Sequence, residues 1–286
     1  LPSCHARLAI TTNVILQNWQ TLGSHVNPLS KIRIVLVEPA GALNVGAVAR
    51  VMKNLALQQL VLVNPLCDPL GKEARQMAVH AGDILEQAQQ IKSLPEALTG
   101  CQRAIATTAR TRTKFTQLES PRLALPWLLA QGTTSALIFG PEERGLSNAE
   151  LNYAQRFVSI PTSAEYPSLN LASAVAICAH ELNQASQQPA TQAQSFPKPN
   201  VDAAPIDTLD GYYQHLEAVL LKIGFLYPHT AAARMEKLRR LYNRANLTRE
   251  EVAMLRGILR QVEWAISEQG KGNDKGTRGE GDKGKK

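Results

Sequence analysis

From position 31 the apolar positions keep changing period. Residues 32–38, IRIVLVE, form a β-branched run suited to a strand covered on both faces. Residues 44–57, NVGAVARVMKNLAL, switch to helical spacing, and 60–65, LVLVNP, return to a strand that stops at Pro65. Further strands are predicted over 103–109, 135–140 and 156–161. Between them SLPEALTG and LSNAELNYA read as short helices with serine caps. Strand and helix in alternation predict an α/β layer fold with a mainly parallel sheet.

The pattern then lapses. Residues 183–205 are rich in Gln, Ser and Pro, have no period and read as a linker. Beyond them, 206–268 read as wholly helical. Tyr213, Leu216 and Leu220 share one face, and Met235, Leu238, Tyr242 and Ala245 share another. A third helix opens on a T-x-x-E capping box at Thr248 and Glu251, with Val252, Leu255, Leu259 and Val262 as its apolar stripe. The expected domains are an extension over 1–30, an α/β domain over 31–182, the linker, a small all-α domain over 206–268 and a disordered basic tail over 269–286.

Composition narrows the classes of function. The chain of 286 residues is 44% hydrophobic and 19% charged, as in ordinary globular proteins. It holds no apolar run long enough for a membrane helix. Its first residues lack a basic n-region and a cleavage site, so no signal peptide is expected. Four cysteines without C-x-x-C spacing, and histidines without H-x-x-x-H spacing, give no support to a zinc site or a disulfide framework. A reducing cytoplasm is the expected setting. The net charge of +7 suits a polyanionic partner.

Three segments could carry chemistry. Asn44 to Arg50, NVGAVAR, follows the first strand, where open α/β sheets bind ligands at their carboxyl edge. It is neither a G-x-G-x-x-G loop nor a phosphate loop ending in G-K-[ST]. FGPEERGLS (139–147) puts Gly140 at a strand end and Glu142 in the turn behind it, where it could hold a hydroxyl or order the loop. IPTSAEYPSLNLASAVAI (160–177) puts Ser168 and Asn170 at the mouth of a helix rich in Ala and Ser. Ser168 is the expected helix cap, leaving backbone N–H groups for a ligand. Taken singly, each segment also fits a packing glycine, a charged turn or a tight interior helix.

Together they resemble, in order and spacing, the three motifs of the SPOUT superfamily of RNA methyltransferases, in its TrmH-like branch. The resemblance runs from 32 to about 182. The helical remainder, MEKLRRLYNRANLTREEVAMLRGILRQVEWAI, is similar to the C-terminal domain of those members that methylate the ribose of tRNA nucleotide 32. The resemblance implies a parallel sheet with a C-terminal deep trefoil knot, a homodimer packed through the knot, S-adenosylmethionine as methyl donor and no metal. The cofactor contacts it implies are Thr107, Thr108, Ala109, Gly140, Ile160, Pro167, Ser168, Leu169 and Asn170. The catalytic set it implies is Arg50, Asn44, Glu142, Ser168 and Asn170. A guanidinium keeps its proton near neutrality. Arg50 is therefore expected to position the ribose and its phosphate and to steady the forming alkoxide, with proton removal by it or by another acceptor.

RNA must be gripped beyond one nucleotide. Lys237, Arg239, Arg240 and Arg244 form one basic group in the helical region; Arg249, Arg256 and Arg260 fall on one helical face. Arg110, Arg112 and Lys114 form another group beside the expected cofactor loop. Two readings compete with methylation at nucleotide 32: a ribose elsewhere in tRNA or rRNA, and a non-catalytic RNA-binding protein on the same scaffold. The glycine fingerprint of a dinucleotide-binding enzyme is absent.

Overall fold

The computed structural model describes residues 27–109, 118–130, 132–187 and 202–274. Seven strands form one sheet, all parallel: β1 (Ile32–Val37), β2 (Gln59–Val63), β3 (Gln89–Ile91), β4 (Arg103–Thr107), β5 (Leu118–Glu119), β6 (Ser135–Phe139) and β7 (Arg156–Val158). Their order across the sheet is β3-β2-β1-β6-β4-β7-β5. The apolar run of β1 divides between two cores. Ile34 and Leu36 enter one, while Val35 and Val37 enter the other, as a strand covered on both faces requires.

On the first face lie α1 (Ala42–Asn54), α2 (Lys72–Ala78), α3 (Gly82–Glu86), α5 (Pro121–Ala124), a 3-10 turn over Leu125–Leu129 and α7 (Leu171–Gln187). The second face carries the short α4 (Leu94–Ala97) and α6 (Asn148–Leu151). The short elements α2, α3, β3, α5 and β5 had no clear period in the sequence. α7 extends through 183–187, into the stretch expected to be linker, because Leu182 is still buried and Asn183 and Ser186 remain within its hydrogen-bonded turns.

Gly46 has a job in this packing. A Cβ there would lie 2.2 Å from the Ala74 carbonyl oxygen, so α1 meets α2 only because position 46 has no side chain. After β7, next to last in the sheet, the chain turns back and lays α7 against α1, the helix that follows the interior strand β1.

The helical domain has α8 (Ile206–Lys222), α9 (Pro228–Ala245) and α10 (Arg249–Asp274) around a core of its own. α10 runs beyond residue 268, past the expected end of the domain. The capping box is present: Glu251 Oε2 accepts from the Thr248 N–H at 2.7 Å and Thr248 Oγ1 from the Glu251 N–H at 3.1 Å. Tyr212 meets Tyr242 edge to face at 5.4 Å. The domain is fastened to the α/β layer by the Ile206 N–H, which donates to the Cys101 carbonyl at 2.8 Å, and by the Gly100 N–H, which donates to Asp207 at 3.1 Å.

Candidate active site

Three strands, β6, β4 and β7, end side by side, and a cavity opens at their carboxyl edge. Its floor is apolar, from Phe139, Val158 and Leu171. Eight of the nine expected cofactor contacts line it: Thr107, Thr108, Ala109, Gly140, Ile160, Pro167, Ser168 and Leu169. They come from three loops far apart in sequence. Among the described residues, the N–H groups of Ile160 and Leu169 have no backbone partner. Apolar walls with open backbone donors fit a purine ring read through its edge, so the residues present suit S-adenosylmethionine. A larger concavity, about 550 Å³, lies between Leu151, Gln155, Arg156 and the α9 residues Lys237, Arg240 and Arg244. Size does not select the site here; the convergence of strand ends does.

The ninth contact, Asn170, has a different task. Its Oδ1 accepts from the N–H of Ala172 at 2.9 Å and of Ser173 at 3.4 Å, so Asn170, not Ser168, caps α7. The helix begins at Leu171, which places Ser168 two residues too early to reach those donors. The Asn170 Nδ2 donates to Asn44 Oδ1 at 2.8 Å, and Asn44 Nδ2 donates to Glu142 Oε1 at 2.8 Å. Glu142 Oε2 in turn accepts from the Ala40 N–H at 3.3 Å. One continuous run of hydrogen bonds therefore joins all three segments picked out in the sequence. Each amide uses both its ends, which fixes its orientation.

Gly140 lines the cavity and also shapes the loop behind it. A Cβ at this position would lie 2.4 Å from the Leu146 backbone nitrogen and 2.7 Å from the Gly145 carbonyl carbon. Its lack of a side chain lets the 141–146 loop fold back on its own strand; that close approach is to protein backbone. Gly145, at φ 64°, completes the turn.

Sequence reasoning missed Arg144. Its guanidinium lines the cavity and bridges Glu38 at 2.7 Å and Glu150 at 2.9 Å. Hydrogen bonds to Glu150 and then Glu38 hold its pKa above the ordinary guanidinium range. Glu150 closes the capping box of α6 with Ser147, so one arginine ties the end of β1 to the start of α6. The EER triplet in the second segment was the available signal, since a cation among acids at a strand end implies pairing.

Arg50 stands apart. It lies six residues beyond Asn44, in the third turn of α1, exposed and without a hydrogen bond or ion pair among the described residues. It does not line the cavity within its own chain. Of the expected RNA contacts, Lys237, Arg244, Arg249, Arg256 and Arg260 are exposed. Arg239 is not available: it donates to Asp210 at 2.8 Å and lies 4.7 Å over the Tyr213 ring, serving the domain's own packing. Arg240 is paired with Glu236 one turn away. Arg110, Arg112 and Lys114 lie outside the described residues.

This fold, with its loop-built pocket at the carboxyl edge of a parallel sheet, is that of a methyltransferase. Residues 31–180 match the SpoU rRNA Methylase family, and the chain belongs to it. Residues 207–274 match the C-terminal domain of the tRNA methyltransferase TrmJ. The chain is 41% identical over 243 residues to the tRNA (cytidine/uridine-2′-O-)-methyltransferase TrmJ of Klebsiella pneumoniae, covering 82% of this chain and 97% of that one. It is also 41% identical to the tRNA (cytidine/uridine/adenosine-2′-O-)-methyltransferase TrmJ of Pseudomonas aeruginosa, with 82% and 95% covered. Among solved structures, TrmJ from Z. mobilis ZM4 superposes with a TM-score of 0.71 at 30% identity, covering 81% of this chain and 98% of that one.

Proposed function

We propose that the chain is an S-adenosylmethionine-dependent tRNA ribose 2′-O-methyltransferase that modifies nucleotide 32, in the anticodon loop, and works as a homodimer. The observation that carries this reading is the hydrogen-bonded run Glu142–Asn44–Asn170 at the edge of the cofactor-type cavity, together with a TrmJ-type helical domain. When bound, S-adenosylmethionine supplies an activated methyl carbon that a ribose 2′-oxygen takes in a direct displacement, with loss of the hydroxyl proton. The chain's part is alignment. The loops at 107–109, 140 and 160–169 hold the nucleoside end by backbone and apolar contact. Asn44, locked between Glu142 and Asn170, fixes the spacing between the pocket and α1. Arg50 receives the ribose and adjacent phosphate and steadies the forming alkoxide.

Its position supports the dimer. α1 and α7 pack side by side; Leu43 (47% exposed) and the exposed Arg50, seven residues apart, share one side of α1, and Ile177 (38%) is exposed on α7. A second copy laid on this face would cover the apolar side chains and give Arg50 a place in a composite site. The return of the chain from β7 to α1 supports the trefoil knot as part of the same reading.

The test is methyl transfer from labelled S-adenosylmethionine to unmodified tRNA transcripts, with the product mapped by mass spectrometry. Ribose methylation at nucleotide 32, reduced at least about 100-fold in Arg50→Ala, is the expected result. A methyl group at another ribose would overturn the target while keeping the chemistry. Cofactor and tRNA binding with no transfer to any transcript would favour the non-catalytic reading.

A further inference from the structure

The connection between α8 and α9 exposes what a small helical domain ordinarily hides. Gly224 takes φ 75° to turn the chain, and Leu226 drops into the helical core at 1% exposure. The alternation about Leu226 leaves the residues on either side outside: Phe225 is 55% exposed and Tyr227 53%. Neither ring enters the helical core, although Tyr227 stacks on His229 with 6.0 Å between centroids.

Cations continue from this aromatic pair. Arg234 donates to the Phe225 carbonyl at 2.7 Å, with its guanidinium 5.8 Å from the Phe225 ring centroid. Lys237, Leu241 and Arg244 follow at spacings of three, four and three, which keeps them on one side of α9. Leu241 is 52% exposed. Arg234, Lys237 and Arg244 have no acidic partner among the described residues, whereas Arg239, on another side of the helix, and Arg240, which shares their concavity but is held by Glu236, do. Ten residues of helix from Arg234 to Arg244 span about 15 Å, the reach of two or three nucleotides.

We propose that Phe225 and Tyr227, with the Arg234–Lys237–Arg244 stripe, form a track for an unpaired stretch of the RNA substrate. Its phosphates meet the cations and at least one base stacks on the exposed rings. The inference rests on the function proposed above, and it adds a binding site remote from the cofactor cavity. Aromatic faces next to unpaired cations are the combination that grips single-stranded nucleic acid with little regard to sequence. Charge decides between occupants. A second copy of this chain, itself carrying a net charge of +7, has less reason to lie on three cations without acidic partners than a polyanion does.

The test uses the full chain and a fluorescein-labelled tRNA transcript, titrated across a range of salt. Phe225→Ala/Tyr227→Ala is expected to weaken binding about tenfold with the salt dependence unchanged, because stacking releases no counterions. Arg234→Gln/Lys237→Gln/Arg244→Gln is expected to lower the slope of log K against log salt by about two to three. Both variants should bind S-adenosylmethionine like wild type. Wild-type tRNA affinity in the aromatic variant would overturn the track. So would its sedimentation as a monomer where wild type is a dimer, which would assign the surface to a second copy. Failure of wild type to methylate tRNA while the binding results hold would overturn the proposed function alone.

Discussion

The two halves of this molecule treat polar side chains in opposite ways. Around the cavity of the α/β layer the residues that matter are engaged with one another, Arg50 outside it being the exception: Glu142 with Asn44, Asn44 with Asn170, Arg144 with Glu38 and Glu150. In the helical domain the paired residues, Arg239 with Asp210 and Arg240 with Glu236, hold the fold. There the unpaired cations are the ones left for a partner. The same feature, an ion pair or hydrogen bond, thus marks the site in one half and rules a residue out in the other. A cofactor pocket needs fixed geometry, and neutral amides bonded at both ends supply it. A polyanion needs free charge at about the right spacing, and a flexible side chain in water supplies that.

The sharpest way to break this contrast is at Asn170. Asn170→Ala removes the α7 cap and the bond to Asn44 together. Methyl transfer should fall about 100-fold and stability by about 1 kcal/mol. Asn170→Asp separates the two effects, because a carboxylate still accepts from Ala172 and Ser173 but has nothing to donate to Asn44. Unfolding in urea should then look like wild type while kcat/KM stays low. If both variants keep full activity, the amide run is structural only.

Glycine substitutions test the scaffold beneath the site. In Gly46→Ala the new methyl meets the Ala74 carbonyl, and in Gly140→Ala it meets the backbone at 145–146. Backbone cannot step aside as a flexible side chain can, so each should cost about 1–3 kcal/mol in chemical denaturation. Gly140→Ala should also weaken cofactor binding, measured by calorimetry, since its loop lines the cavity; Gly46→Ala should leave it nearly unchanged.

The sequence was legible where the chain repeats a period and silent where it does not. β1, β2, β4 and β6 were readable because strands buried on both faces become unbroken apolar runs. α2, α3 and β3 were not, since three to seven residues hold too little of any period to show one. The cavity residues came from the family resemblance, and no local pattern could have supplied them, because the pocket is assembled from three separate loops spread over residues 107–169. The cap on α7 was misplaced for a local reason: Ser168, Asn170 and Ser173 are all competent caps, and only the helix start at Leu171 chooses among them.

A smaller effect separates paired from unpaired cations. Arg239→Ala should cost about 2 kcal/mol, since it strands Asp210 and uncovers Tyr213, with tRNA affinity following only through stability. Lys237→Gln should leave stability within about 0.5 kcal/mol and reduce the salt slope of tRNA binding by about one. Equal loss of tRNA affinity in the two variants, with both proteins fully folded, would erase the distinction between the halves.

At alkaline pH the halves should weaken in sequence. Burial pushes the Cys101 thiol up to about 11 and the Cys178 thiol up to about 12, both in the α/β layer. Burial likewise raises Tyr212 and Tyr213 in the helical core. All four are acids whose folded pKa lies above the unfolded one. Their contribution is therefore intact at neutral pH and is lost as pH rises past the unfolded value toward the folded one. Unfolded thiols ionise near pH 8.5–9 and tyrosines near 10. The α/β layer should start to lose stability near pH 9, at up to about 1.4 kcal/mol per pH unit for each thiol, and the helical domain about one unit higher. Trp127 lies in the first half and Trp264 in the second, so denaturation followed in variants that keep one of these as the single tryptophan, with Trp19 also replaced, reads the halves separately. Cys101→Ala/Cys178→Ala should remove the earlier decline and leave the later one. A single transition moving identically for both probes would mean that the contacts of Ile206 and Asp207 join the halves into one cooperative unit.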